Sequence, residues 1–144
     1  MVNVGEKPIT RREASAKAIV ATIPEVVSAI RSGQIEKGDV IAAGRLAGIM
    51  AVKRTPDLLP LCHPIGVTNA DVFIECGEDT LEITSCVGIS DRTGVEMEAL
   101  TAVAVAGLAV IDMIKSRDAA AQIQSIRLME KSGGKSGHWV RGDR

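Results

Sequence analysis

The chain has 144 residues, 46% apolar and 24% charged, with 17 Lys plus Arg against 18 Asp plus Glu for a net charge of −1. That balance argues against a broad nucleic-acid or anionic-membrane surface, and one Phe, one Trp and no Tyr exclude a base-stacking platform. The length suits a single domain over 1–144 with a real core, and a mean hydropathy of +0.18 argues against an intrinsically disordered chain.

Over 13–21, Ala14, Ala16, Ala18 and Val20 alternate with mostly polar residues. The alanines would tolerate a helix, but period two and the stop that follows favour a strand. Thr22 and Glu25 then form a capping-box pattern, Ile23, Val26, Val27 and Ile30 carry helical spacing, and Gly33 closes the helix. Lys37-Gly38-Asp39 opens a second helical stretch to about Arg54, in which Gly44 and Gly48 make a small face for close backbone approach. Pro56, Pro60 and Pro64 predict a stiff extended loop, a good place to hold a functional side chain. Segments 67–76 and 80–89 read as a hairpin, with Val72, Ile74 and Cys76 on one face and Leu81, Ile83, Ser85 and Val87 on one face of the partner strand. The longest helix begins at Thr93 or Gly94 and runs to about Arg117, and a last strand over 123–129 leads into a flexible Gly/Lys loop at 131–137 and a short tail. With the early helices counted as one crossover layer, the order is βαββαβ. The expected fold is α+β, a ferredoxin-like sandwich with helices on one face of an antiparallel sheet.

A core almost without aromatics must be filled by Ala, Val, Ile and Leu, so elements approach closely or a partner chain supplies core. The three cysteines, Cys62, Cys76 and Cys86, fit neither a disulfide framework nor a metal knuckle; Cys76 and Cys86 are expected as small core residues. The start MVNVGEKPIT lacks a basic-then-apolar leader, and the longest uncharged run, 99–111, has 13 residues, short of a bilayer span. A reducing cytoplasm is the expected address, with no membrane or nucleic-acid partner.

Several polar groups have both a plain and a functional reading. Glu96 and Glu98 suit a helix N-terminus as simple favourable charge. Asp112 and Lys115, three apart at the end of a long apolar stripe, make a surface pair or an acid/base unit. His63 follows Cys62 in the Pro-rich loop. Adjacent side chains rarely face each other, which disfavours a Cys–His nucleophile, and His138 is too remote in sequence to suggest a metal site. The KSGGKSG loop offers lysines, hydroxyls and backbone N–H groups to phosphates, or is a solvated segment; it is not a Walker A loop, whose first Gly would fall at Met129. Lys37, Lys53, Arg54 and Arg92 would suit a polyanion if gathered at one pocket.

Taken together, KGDVIAAGRLAGIMAVKRTPDLLPLCHP, TGVEMEALTAVAVAGLAVIDMIK and IRLMEKSGGKSG resemble the MoaC family of molybdenum cofactor biosynthesis, the cyclic pyranopterin monophosphate synthases. The resemblance runs from MVNVGEKP to the GGKSG loop, nearly the whole chain. It implies a lyase on a ferredoxin-like fold, assembled as a homohexamer (a trimer of dimers) with active sites at subunit interfaces. The substrate it implies is a cyclised dihydroguanosine triphosphate, a purine on the way to a pterin. The products are cyclic pyranopterin monophosphate and diphosphate.

By match to the family motifs, Asp112 is the expected catalytic acid/base, with Lys115 beside it and Lys37 as a second catalytic group. Leu61, Cys62, His63, Met97 and Glu98 are expected substrate contacts, Glu98 accepting from a guanidine-like edge, and Lys131 and Lys135 are expected to hold the triphosphate. Glu96, Lys53 and Asn3 are secondary candidates. No metal ligands and no cofactor are expected of the protein, while Mg2+ can accompany the triphosphate. The family's opening motif reads MVDVS, whereas this chain has Asn3 and Gly5, and the residues that usually precede the motif are absent from this sequence. Asn keeps the shape of Asp but cannot carry its charge. The alternative is therefore a catalytically altered nucleotide-binding hexamer on the same scaffold, with a purely structural assembly partner behind it.

Overall fold

A computed structural model describes residues 1–142; Asp143 and Arg144, the end of the expected 1–144 unit, lie outside the described residues. The elements are β1 (Thr10–Ala21), α1 (Pro24–Arg31), α2 (Val40–Val52), α3 (Thr55–Leu58), β2 (Asn69–Cys76), β3 (Thr80–Asp91), α4 (Glu96–Ile114), β4 (Gln122–Ser132) and β5 (Trp139–Val140). The strands form one antiparallel sheet in the order β2-β3-β1-β4-β5. Without the two-residue β5, this is the ferredoxin-like α+β sandwich that the element order predicts.

Alternation along β1 buries Ala14, Ala16, Ala18 and Val20 on the helix-covered face. Small side chains there let α4 settle close to the sheet, and a Cβ added at Gly107 would lie 3.0 Å from Ile123 and 3.4 Å from Val20. Beside it, α2 covers β2 and packs on α4 through its two glycines. A Cβ at Gly48 would stand 2.9 Å from the Ala102 carbonyl and 3.1 Å from Val72, and one at Gly44 would stand 2.6 Å from Ile74 and 3.2 Å from Val110. Gly44 therefore faces the later part of α4 and Gly48 the earlier part, so the two helices run antiparallel. The start of α2 lies at the end of α4, and the segment after α2 returns to the start of α4. Leu81, Ile83, Val72 and Val103 fill the core between the layers, each burial contributing about 1.5–3 kcal/mol.

Several local expectations change. No side chain caps α1: Ile23 is its N-cap and Pro24 pre-sets the first turn, while the Thr22 hydroxyl donates to Asp118 at 2.7 Å. The second helix starts at Val40, where the Asp39 carboxylate accepts from the Ala42 N–H at 2.9 Å. The Pro-rich stretch is not extended throughout, since Thr55–Leu58 makes one helical turn with Pro56 near its start. Cys86 is exposed on the uncovered face of the sheet, because Ser85 and Val87 take the inward positions; Cys76 is half-buried against the core. Lys131 and Ser132 belong to β4 rather than to the loop. As a whole, α4 has the length and apolarity of a membrane-spanning helix. It is apolar on most sides because α2 and the sheet enclose it, as befits a core helix.

Candidate functional site

Antiparallel packing of α2 and α4 sorts the candidate residues into two clusters, one at each end of α4. At its start, the loop after α3 folds back so that Leu61, Cys62 and His63 face Glu96, Met97 and Glu98. Together with Val2, Val4, Lys7, Ile65, Thr93 and Gly94 they enclose a cavity of about 450 Å3, in the range that takes a small organic ligand. Its walls are mixed, with Met97, Ile65 and the valines beside two carboxylates, a thiol and an imidazole.

Glu98 is 3% exposed. Burial pushes its carboxyl above the usual range and the neighbouring Glu96 charge adds to this, against a lowering contribution from its own backbone N–H. Among the described residues it has no oppositely charged partner, and a buried acid so placed suits a ligand edge bearing N–H donors. Burial also pushes the Cys62 thiol up, again with a carboxylate, Glu98, adding to the effect. That is the reverse of what activates a cysteine nucleophile, in keeping with the reading against a Cys–His pair.

Next to the cavity, Lys131 at the end of β4 donates to Glu96 at 3.0 Å. Arg12, Glu96, Lys131, Ser132, Gly133 and Ser136 line a narrow cleft that shares Gly94 and Glu96 with the larger cavity. Arg12 donates from its guanidinium to the carbonyls of Asp91 and Arg92, each at 3.1 Å, and so braces the turn that leads into α4. Gly133 and Gly134, with φ of +92° and +69°, fold the loop down against β1. A side chain on Gly134 would run into the Arg12 guanidinium and one on Gly133 into the Arg11 carbonyl. Lys135 is exposed in the same loop, outside both cavity walls. Lys53 lies at the C-cap of α2, toward the same end of the molecule, and it too is absent from the cavity wall.

At the far end of α4, Lys37 donates from Nζ to Asp112 Oδ2 at 2.8 Å and to the Asp112 carbonyl at 2.9 Å, and Lys115 donates to Oδ1 at 2.7 Å. Both carboxylate oxygens are thus occupied by ammonium groups. Lys115 first and Lys37 second hold the Asp112 carboxyl at about 2, well below its usual value of 3.8. All three side chains remain open to solvent. Asp112 is accordingly held as a carboxylate between two lysine ammonium groups.

The two clusters do not meet within one chain. Fourteen residues separate Glu98 from Asp112 along α4, about 21 Å of helical rise, whereas acid–base partners work at about 3 Å. Arg12 and Lys7 were not anticipated. Arg12 carried a signal, since its parity in β1 matches Ala14 to Val20 and places a cation on the inward face; Lys7, ahead of the first strand, carried none. Arg54 and Arg92 lie outside both cavity walls. A separate hollow of about 300 Å3 on the uncovered sheet face, with Glu13, Ser15, Asn69, Cys86 and Glu130 in its wall, contains no anticipated site residue. Among the described residues, no three His, Cys, Asp or Glu side chains gather in a metal-binding group.

Residues 1–134 match the family model described as the MoaC family. The chain is 50% identical over 141 residues to the cyclic pyranopterin monophosphate synthase of Streptomyces coelicolor, covering 98% of this chain and 83% of that protein. It is 52% identical to the protein of that name from Heliobacterium modesticaldum, covering 98% and 90% of the two chains. With the protein of that name from Thermomicrobium roseum it shares 53% identity, over 99% and 87%.

Proposed function

We propose a function from two premises: the chain belongs to the MoaC family, and its candidate residues collect into a ligand-sized cavity and a lysine–carboxylate cluster. It acts as a cyclic pyranopterin monophosphate synthase, a lyase of molybdenum cofactor biosynthesis. It converts a cyclised dihydroguanosine triphosphate to cyclic pyranopterin monophosphate and diphosphate. The observation that carries this reading is 50–53% identity, over 98–99% of the chain, to proteins of that name.

In this reading the cavity at the start of α4 takes the heterocycle. Glu98 accepts from its guanidine-like edge, Met97 and Leu61 cover its faces, and Cys62 and His63 complete the wall. Lys131 and Arg12 meet the triphosphate, with Lys135 closing over it from the glycine loop. Rearranging the purine-derived rings needs several proton transfers, and closing the cyclic phosphate needs one more. A substrate hydroxyl attacks the phosphorus nearest the sugar, its proton passes to a base, and the bond to diphosphate breaks. Lys37 and Lys115 are the proton carriers, one donating as ammonium and the other accepting the hydroxyl proton as the free amine, and Asp112 holds them in register. The departing charge is met by the cations around Lys131. The protein supplies no resident cofactor in this account, and any Mg2+ arrives on the triphosphate oxygens as part of the substrate.

Because the clusters are about 21 Å apart along one helix, the proposal completes each site with the lysine cluster of a second copy. The assembly is a homohexamer built as a trimer of dimers, with sites at subunit interfaces. Support comes from Leu46, Met50 and Leu108 on α2 and α4, which are 60%, 55% and 59% exposed in the single chain. The cytoplasm is the proposed location, on the strength of three cysteines without disulfides.

The test is diphosphate release by the purified oligomer given the cyclised dihydroguanosine triphosphate, with Asp112→Ala as control. Release by the parent protein and not by the variant supports the reading. Silence from a folded oligomer that still binds the nucleotide favours the second reading, a nucleotide-binding assembly.

A further inference from the structure

The N-terminal segment ahead of β1 crosses one wall of the cavity, contributing Val2, Val4 and Lys7. Met1 and Val2 are exposed, and the described residues supply little packing to hold the segment there. Two short hydrogen bonds give it its shape. Asn3 Oδ1 accepts from the Gly5 N–H at 2.9 Å, and the Lys7 N–H donates to the Val4 carbonyl at 3.1 Å. The first is an Asx turn, in which a side-chain oxygen two residues back replaces a backbone carbonyl. The second turns the chain again, so Val4 stays half-buried while Lys7 comes round to the cavity.

From this geometry we propose that Asn3 is a positioning residue for the synthase reaction. Its side-chain oxygen closes the turn that lays Val4 and Lys7 on the cavity wall, and it takes no part in proton transfer. An amide oxygen and a carboxylate oxygen accept the same N–H bond, so the turn requires an acceptor two residues before Gly5 and no negative charge. Gly5 fits the same picture. A Cβ there would lie 3.2 Å from Asn3 Oδ1, tight enough that a side chain would press on the accepting oxygen. The neutral residue thus leaves the site complete, and Asn3 acts through the placement of Lys7.

This inference rests on the proposed synthase reading, and its test separates the two. Asn3→Asp, Asn3→Ala, Lys7→Ala and the Asn3→Ala/Lys7→Ala double variant are compared as intact oligomers, by diphosphate release and by equilibrium binding of GTP as a probe. Expected are unchanged kcat, KM and pH–rate profile for Asn3→Asp. For Asn3→Ala, KM rises about fivefold, the worth of one neutral hydrogen bond, with kcat retained. The double variant is expected to resemble Lys7→Ala alone. A gain in kcat or a shifted pH profile in Asn3→Asp would overturn the proposal by giving the charge a chemical role. Parent-like KM in Asn3→Ala, or additive effects in the double variant, would overturn it as well. If the parent protein releases no diphosphate, the synthase reading fails, while weaker GTP binding by Asn3→Ala, restored in Asn3→Asp, still supports the positioning role; equal GTP binding by all variants overturns it.

Discussion

Lys37 and Asp112 stand 75 positions apart in the chain and meet at 2.8 Å, because α2 and α4 pack antiparallel through Gly44 and Gly48. Lys115, one helical turn beyond Asp112, reaches its other oxygen at 2.7 Å. A carboxylate shared between two ammonium groups is poorly suited to giving up a proton. It is well suited to fixing where two lysine nitrogens sit.

Replacing Asp112 with Asn therefore lowers kcat by about 10²–10⁴-fold, the usual worth of positioned acid–base groups, with a smaller change in KM. Because the cluster is solvent-exposed, the melting temperature stays close to that of the parent protein. Steady-state kinetics and thermal melts on the same preparations check both parts, and a variant with parent-like kcat would remove Asp112 from the mechanism.

The same carboxyl gives a pH expectation. Its folded pKa is depressed from 3.8 to about 2, so the paired state is fully present above the higher value and is lost as pH falls toward the lower one. Carbon-detected NMR titration of the Asp112 side chain is expected to place its midpoint well below 3.8, toward about 2. A midpoint at or above the ordinary carboxyl value would contradict the two-lysine clamp.

Glu98 titrates the other way. Burial raises its folded pKa, so the protonated form is favoured in the native state, and its contribution to stability falls as pH rises through that raised value. Glu98→Gln is accordingly expected to be more stable than the parent at neutral pH, with the difference closing toward pH about 4, near the ordinary carboxyl value. Substrate binding weakens in the same variant, because an ionisable acceptor has been removed. Thermal melts across pH decide the stability part, and a Gln variant less stable than the parent at neutral pH counts against it.

A site completed by two chains predicts complementation. Lys37→Ala and His63→Ala oligomers, each impaired alone, regain activity when dissociated, mixed and reassembled, because about a quarter of the interfacial sites then receive two intact halves. Diphosphate release after mixing is the measurement. No recovery from well-formed mixed oligomers would place both clusters in the service of separate sites.

The helix contact has its own test. Gly48→Ala brings a methyl group against the Ala102 carbonyl, a rigid backbone atom, whereas Gly44→Ala meets chiefly the movable end of Ile74. Overpacking costs about 1–3 kcal/mol and is partly offset by the better helix propensity of alanine. Gly48→Ala is therefore the more destabilising of the two. Denaturant melts of the two variants rank them, and the reverse order would discount the backbone contact.

Local pattern in the sequence determined much of this protein. Period-two alanines specify β1, the turn between 76 and 81 specifies the hairpin, and the long apolar run around Val103 specifies a core helix, because each pattern is written in neighbouring residues. The motif match likewise named the lysines, the PLCHP loop and the glutamates. What neighbouring residues cannot encode is decided by tertiary packing. Thr22 left its helix cap for Asp118, since a hydroxyl bonds to whichever acceptor packing brings near. Cys86 turned outward because Ser85 and Val87 took the core positions beside it. Lys7 joined the cavity wall, and Arg12 the adjoining cleft, through contacts between distant segments. Above all, antiparallel packing of α2 on α4 placed the lysine cluster and the ligand cavity at opposite ends of one helix, because each helix runs back across the sheet after its strand and the strands before them, β1 and β3, are antiparallel.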